Sequence, residues 1–144
     1  RLFDYHVSYD NSKHYKEYQA KLDEVRNALA SDKLTDDEKK LAVTEELLLN
    51  KKLTTKSVDF HVVCKIMTIG DVQAVTFPGE LGSIFGMQIK KNSRAVLPLV
   101  IGYADDYNGY FVSAEDYGKT YESMVSDMIE GETEKMIDKL KDCL

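Results

Sequence analysis

The sequence predicts an α+β fold, a mixed β-sheet packed against helices and preceded by an N-terminal helical hairpin. Three observations predict it: apolar residues recur every three or four positions between residues 12 and 50, they alternate at a period of two from Ser57 onward, and a helical stripe returns near the C-terminus. Residues 1–56 therefore read as a helical segment and residues 57–144 as an α/β segment, together one compact unit. With 144 residues, 43% of them hydrophobic and 31% charged, the chain can bury one core of ordinary size.

Each element has its own local reason. From Ser12 to Ala30, the residues Tyr15, Tyr18, Leu22, Val25 and Leu29 fall on one stripe of an amphipathic helix. Thr35-Asp36-Asp37-Glu38 has the form of a capping box, after which Leu41, Leu48 and Leu49 supply the apolar face of a second helix ending near Asn50. Lys51 to Lys56 reads as a polar connector. Val58, Phe60, Val62, Cys64 and Ile66 then alternate with Asp59, His61, Val63, Lys65 and Met67, and Gly70-Asp71 turns the chain into a second strand, Val72 to Phe77. Pro78 and Gly79 break that strand. Glu80 is expected to open a helix carrying Leu81, Ile84, Phe85, Gln88 and Ile89. Val96 to Tyr103 is short and branched enough for a buried strand, with Pro98 favouring an edge or early position. A tyrosine-rich loop, Ala104 to Tyr110, follows. Met136, Ile137, Leu140 and Leu144 form the closing helical stripe beyond Gly131.

Composition excludes several functions. A net charge of −6, with no cluster of Lys or Arg, makes nucleic acid an unsuitable partner. No apolar run approaches the roughly 20 residues that cross a bilayer, so no transmembrane segment is expected, and the first residues lack a signal-peptide core. Cys64 and Cys143 form neither a C-x-x-C unit nor a disulfide framework. Arg1 to Ser8 reads as the interior of a longer polypeptide, which would divide an active site between this chain and another segment.

Phe77-Pro78-Gly79-Glu80 is the most informative local arrangement, because it delivers a carboxylate where a strand ends and a helix begins. The helix macrodipole would favour the ionised form there by roughly 0.3–1 kcal/mol, which suits a metal ligand. On spacing alone, an ordinary helix-start Glu meeting orphan N–H groups outweighs that reading. The segment from Gly102 to Tyr110 gathers oxygen donors at a strand end, yet Asp105 and Asp106 lack the pattern of a calcium loop. Tyr107, Tyr110, Tyr117 and Tyr121 read first as half-buried packing with hydroxyls reaching water. His6, His14 and His61 offer no His-Glu-x-x-His pair, so no complete zinc site can be written from them.

Taken together, Ile69-Gly70-Asp71, Phe77-Pro78-Gly79-Glu80, Gly102-Tyr103-Ala104, Tyr107-Asn108-Gly109-Tyr110, Glu115-Asp116-Tyr117 and Tyr121-Glu122 resemble the C-terminal part of the catalytic domain of the neutral/alkaline ceramidase family, over about Ser57 to Glu122. The compact bacterial members are the most similar. The resemblance implies a fragment of a larger α/β catalytic domain that hydrolyses an N-acyl amide, ceramide or a related lipid, with one zinc ion. It also implies that Glu80 and Tyr110 are zinc ligands and that Tyr121 hydrogen-bonds the substrate carbonyl or oxyanion, although the gap from Tyr110 to Tyr121 is one residue shorter than in the family. The family's histidine ligands and serine have no counterpart in Arg1 to Lys56, so the missing N-terminal part of the same protein is the expected partner and this chain alone is expected to be inactive. The contrasting expectation is a non-catalytic interaction module on a degenerate ceramidase-like fold, binding through its helical hairpin.

Overall fold

The structure, a computed structural model, describes residues 1–144. The strands are β1 (Leu2–Asp10), β2 (Ser57–Ile69), β3 (Val72–Thr76), β4 (Glu80–Leu81), β5 (Leu97–Ile101) and β6 (Tyr110–Phe111). The α-helices are α1 (Tyr15–Leu29), α2 (Asp36–Thr54), α3 (Ser83–Asn92), α4 (Tyr121–Val125) and α5 (Glu132–Lys141). The fold is α+β, with a mixed sheet packed against helices. By internal contacts the chain divides into Arg1–Val7 with Phe60–Leu144, and Ser8–Asp59.

The first unit holds a four-stranded sheet of order β1-β2-β3-β5. Arg1 and Ile66 exchange both backbone hydrogen bonds at 2.8 Å, the signature of an antiparallel pair. Gly70, with φ 57°, sits in the two-residue loop that returns β2 antiparallel to β3, so that Ile69 faces Val72 and Ile66 faces Val75. β3 and β5 run parallel, Val72 facing Leu97 and Thr76 facing Ile101. The period-two pattern decides which side is buried. Phe3, Tyr5 and Val7 on β1, Val62, Cys64 and Ile66 on β2, and Val75 on β3 are buried, and α3 packs against both β5 and α5. Phe85, Ile89, Met136, Ile137 and Leu140 are almost fully buried on those helices. The Tyr5 hydroxyl donates to the Glu132 carboxylate at the start of α5. Burial, then that bond, pushes the phenol up to about 12.

In the second unit α1 packs on α2 around Leu22, Val25 and Leu49, with Tyr18, Leu29, Ala42 and Leu53 at the margin. Lys21–Glu45 (3.0 Å) and Arg26–Glu46 (2.7 Å) bridge the two helices. The capping box forms: the Thr35 hydroxyl accepts from the Glu38 N–H, and the Glu38 carboxylate accepts from the Thr35 N–H at 2.8 Å.

Several local expectations are corrected. Arg1 to Ser8, which carried no element assignment, lies largely in β1, so the segment read as helical begins with a strand. A 3-10 turn, Asn11–His14, precedes α1, and α2 continues through the expected connector to Thr54. Leu41 is exposed, because Ala42, Leu49 and Leu53 are the residues that face α1. Glu80 does not open a helix. It lies in β4, and α3 starts at Ser83 with Gly82 as its N-cap. The macrodipole argument for Glu80 therefore falls, since the dipole acts within the first turn. Glu80 and Tyr110 also sit outside the large sheet, in a separate two-stranded parallel pair, β4 with β6.

Candidate functional site

Glu80 is placed by the backbone. It pairs directly with Tyr110 across β4 and β6, its N–H donating to the Gly109 carbonyl at 2.9 Å. The two turns that feed this pair are stitched together, with the Asn108 N–H donating to Pro78 O at 2.8 Å and the Tyr103 N–H to Gly79 O at 3.2 Å. Beneath them Phe77 meets Phe111 edge to face, centroids 4.7 Å apart, and both are fully buried.

Three phenols converge on the carboxylate. The Tyr107 hydroxyl donates to Glu80 Oε1 at 2.8 Å, and Tyr103 and Tyr110 direct their hydroxyls to the same group. Chiefly through Tyr103, and against partial desolvation, these donors hold Glu80 below the usual carboxylate range. The same bonds act in reverse on the phenols: hydrogen bonding to Glu80 is the main cause that pushes Tyr103 and Tyr110 up to about 12, and it raises Tyr107 as well. At neutral pH the cluster is one carboxylate anion held by neutral phenols.

The rings order one another. Tyr103 and Tyr107 stack at 5.8 Å with 9° between planes, and Tyr121, at the start of α4, meets Tyr110 edge-on at 6.3 Å. Tyr110 is held from behind by the Ser126 hydroxyl, which donates to its carbonyl at 2.5 Å. Tyr103 and Asp105 are the two non-glycine residues with positive φ, 55° and 73°. An aromatic residue in that region is strained by of order 1–3 kcal/mol. Here the strain is opposed by the Tyr103 bonds to Gly79 and Glu80 and by Asp105, which pairs with Lys65 and accepts from the Thr76 hydroxyl at 3.1 Å. The face remains open: Tyr103 is 66% exposed, Tyr107 54% and Tyr121 49%.

The structure thus brings Glu80, Tyr110 and Tyr121 to one place. Tyr103 and Tyr107 belong to the site equally, and their signal in the sequence was position alone, just after a strand. Tyr117 donates to Met128 O at 3.2 Å. His61 contacts Asp4 at 2.7 Å and stacks on His6 at 4.7 Å, while His14 contacts Glu17 at 3.4 Å. No group of three or more His, Cys, Asp or Glu is arranged to hold a metal ion. Of the residues gathered here, Glu80 has the carboxylate oxygens that zinc commonly takes as ligands.

The chain matches no family model, no curated protein and no solved structure. No helix is long and apolar enough to cross a membrane.

Proposed function

We propose that residues 1–144 carry part of the active site of a zinc-dependent amidohydrolase resembling neutral ceramidase, which hydrolyses an N-acyl amide, ceramide or a related lipid. The observation that carries this reading is the convergence of Tyr110 on an ionised Glu80, with Tyr121 packed beside it. Glu80 and Tyr110 would hold the zinc, and donors from outside these residues would complete the shell. The ion, when bound, supplies Lewis acidity and a water nucleophile at neutral pH. The residues of this chain do the remainder. Glu80 is already ionised and needs no proton removed, and its place opposite Tyr110 in β4–β6 fixes the two oxygens together. Tyr121 offers a hydroxyl donor to the amide carbonyl oxygen as negative charge develops there. The ring of Tyr110 limits how Tyr121 can turn.

Zinc titration of the full-length protein by calorimetry, beside Glu80→Ala and Tyr110→Phe, tests this. Each change is expected to weaken binding at least about tenfold and to abolish or sharply reduce amide hydrolysis. Unchanged affinity in both variants would sink the metal assignment.

One observation favours the second reading, a non-catalytic interaction module on a degenerate ceramidase-like fold. The Glu80 carboxylate already has hydroxyl donors from its own chain, so the cluster is satisfied as a structural network. On that reading zinc is ignored and the two variants lose only stability.

A further inference from the structure

Tyr103 and Tyr107 are presented to Glu80 by a loop, residues 102–109, that lies between β5 and β6 and belongs to no strand or helix. Its backbone is tied to the turn before β4: the Ala104 N–H donates to the Phe77 carbonyl at 3.0 Å, Tyr103 to Gly79 O and Asn108 to Pro78 O. Two side chains reach further, to the four-stranded sheet. Asn108 Nδ2 donates to the His61 carbonyl on β2 at 3.1 Å, and the Asp105 carboxylate accepts from Thr76 at the end of β3 and pairs with Lys65 on β2. Tyr107 directly precedes Asn108, and Tyr103 stands two residues before Asp105. Each of these phenols therefore has an anchor of its own close by in the chain.

Thr76 is the hub of the Asp105 anchor. The β2–β3 pairing ends at Ile66–Val75, and at the next position the Lys65 N–H donates at 2.9 Å to the Thr76 hydroxyl. That hydroxyl has a single proton, which it gives to Asp105 Oδ2 at 3.1 Å, so one side chain both closes the ladder and holds the loop. Thr76 is 6% exposed, whereas the side chains of Lys65 and Asp105 are 46% and 36% exposed. Water screens the ion pair more than the hydroxyl bond, which is charge-assisted and partly buried. Tyr103 at φ 55° and Asp105 at φ 73° bound a short segment whose strain would relax to negative φ once its far end were released.

We infer that Asp105 is a positioning residue of the site: gripped by the Thr76 hydroxyl, it aims Tyr103 at Glu80, while Asn108 separately fixes Tyr107. The role rests on the reading of Glu80 as a site residue, but its test needs no zinc, so its failure is distinct from a failure of the metal titration.

Hydrogen exchange resolved to single residues, on the full-length protein, compares Thr76→Val, Thr76→Ser and Asp105→Gly with the wild type. Glycine accepts a positive φ freely, so Asp105→Gly removes the carboxylate without adding strain, and it decides the matter even where Thr76→Val folds poorly. The Tyr103 and Ala104 amides are expected to exchange about tenfold faster in Thr76→Val and Asp105→Gly, with the Asn108 amide within about threefold of wild type and Thr76→Ser restoring wild-type rates. The ring contact between Tyr103 and Tyr107, read as a nuclear Overhauser effect, is expected to disappear in the same two variants and persist in Thr76→Ser. Wild-type exchange at Tyr103 in Asp105→Gly overturns the inference. Thr76→Ser behaving like Thr76→Val overturns the part given to the hydroxyl, and acceleration spread evenly through β3 and α5 overturns the whole, because it marks a general loss of stability instead of release of the loop.

Discussion

Gly79 has a φ of 157°, and a Cβ there would stand 2.5 Å from the Gly109 carbonyl oxygen and 2.8 Å from Phe111 Cε2. Neither neighbour can give way easily, since one is backbone and the other a fully buried ring. Gly79→Ala is therefore expected to destabilise its unit by about 2–3 kcal/mol, read by urea unfolding, and to loosen Glu80 from the phenols. Wild-type stability in that variant would show that the Pro78-Gly79 and Asn108-Gly109 turns are not held as closely as described. Phe77-Pro78-Gly79-Glu80 and Tyr107-Asn108-Gly109-Tyr110 stand out in the sequence as turn chemistry. Their mutual contact does not, because it joins residues about thirty positions apart. Cys64 makes the opposite case. Its place on an alternating strand predicts an inert thiol, and complete burial pushes it up to about 12.

At the scale of elements, local signals were read well and non-local ones were not. The capping box of α2 is written in four consecutive residues, so the sequence shows it and the structure forms it. Thr35→Ala is expected to cost about 1 kcal/mol, measured as loss of helix stability by circular dichroism during unfolding. An unchanged midpoint would count against the cap. Glu38 adds a pH dependence. The Thr35 N–H, then the Thr35 hydroxyl, hold its carboxyl below the ordinary value of 4.5. The capping contribution is therefore fully present above about pH 4.5 and is lost as the pH falls through the lower folded value. Thr35→Ala should lessen that acid sensitivity without abolishing it, because the backbone N–H of residue 35, the larger of the two causes, is retained. Glu80 shows the other side. Its neighbours have helical spacing, yet its backbone pairs with Tyr110, and no period computed over a short window detects a partner so distant. β1 was legible in principle, since Phe3, Tyr5 and Val7 alternate with Leu2, Asp4 and His6.

Across the whole molecule the two units differ in how much apolar surface they bury. Ser8–Asp59 buries only Leu22, Val25 and Leu49 as core, whereas the other unit buries rings and aliphatics from strands and helices together. Amides of α1 and α2 should thus exchange with solvent through openings of lower free energy than those of β3 and α5, and Leu22→Ala should lower the helical unit by about 2–4 kcal/mol. Equal protection throughout, by native-state hydrogen exchange, would mean that the chain opens as one cooperative body. By itself the sequence determined the α+β class, the two long helices with their cap, the β2–β3 hairpin and the burial of alternate residues. These depend on periods of two and 3.6 and on turn residues, all of which act over a few positions. Only the tertiary structure decided that Glu80 is in a strand and that three phenols share its carboxylate. Those features arise from contacts between distant residues, and their chain-closure cost is met by packing that no local pattern records.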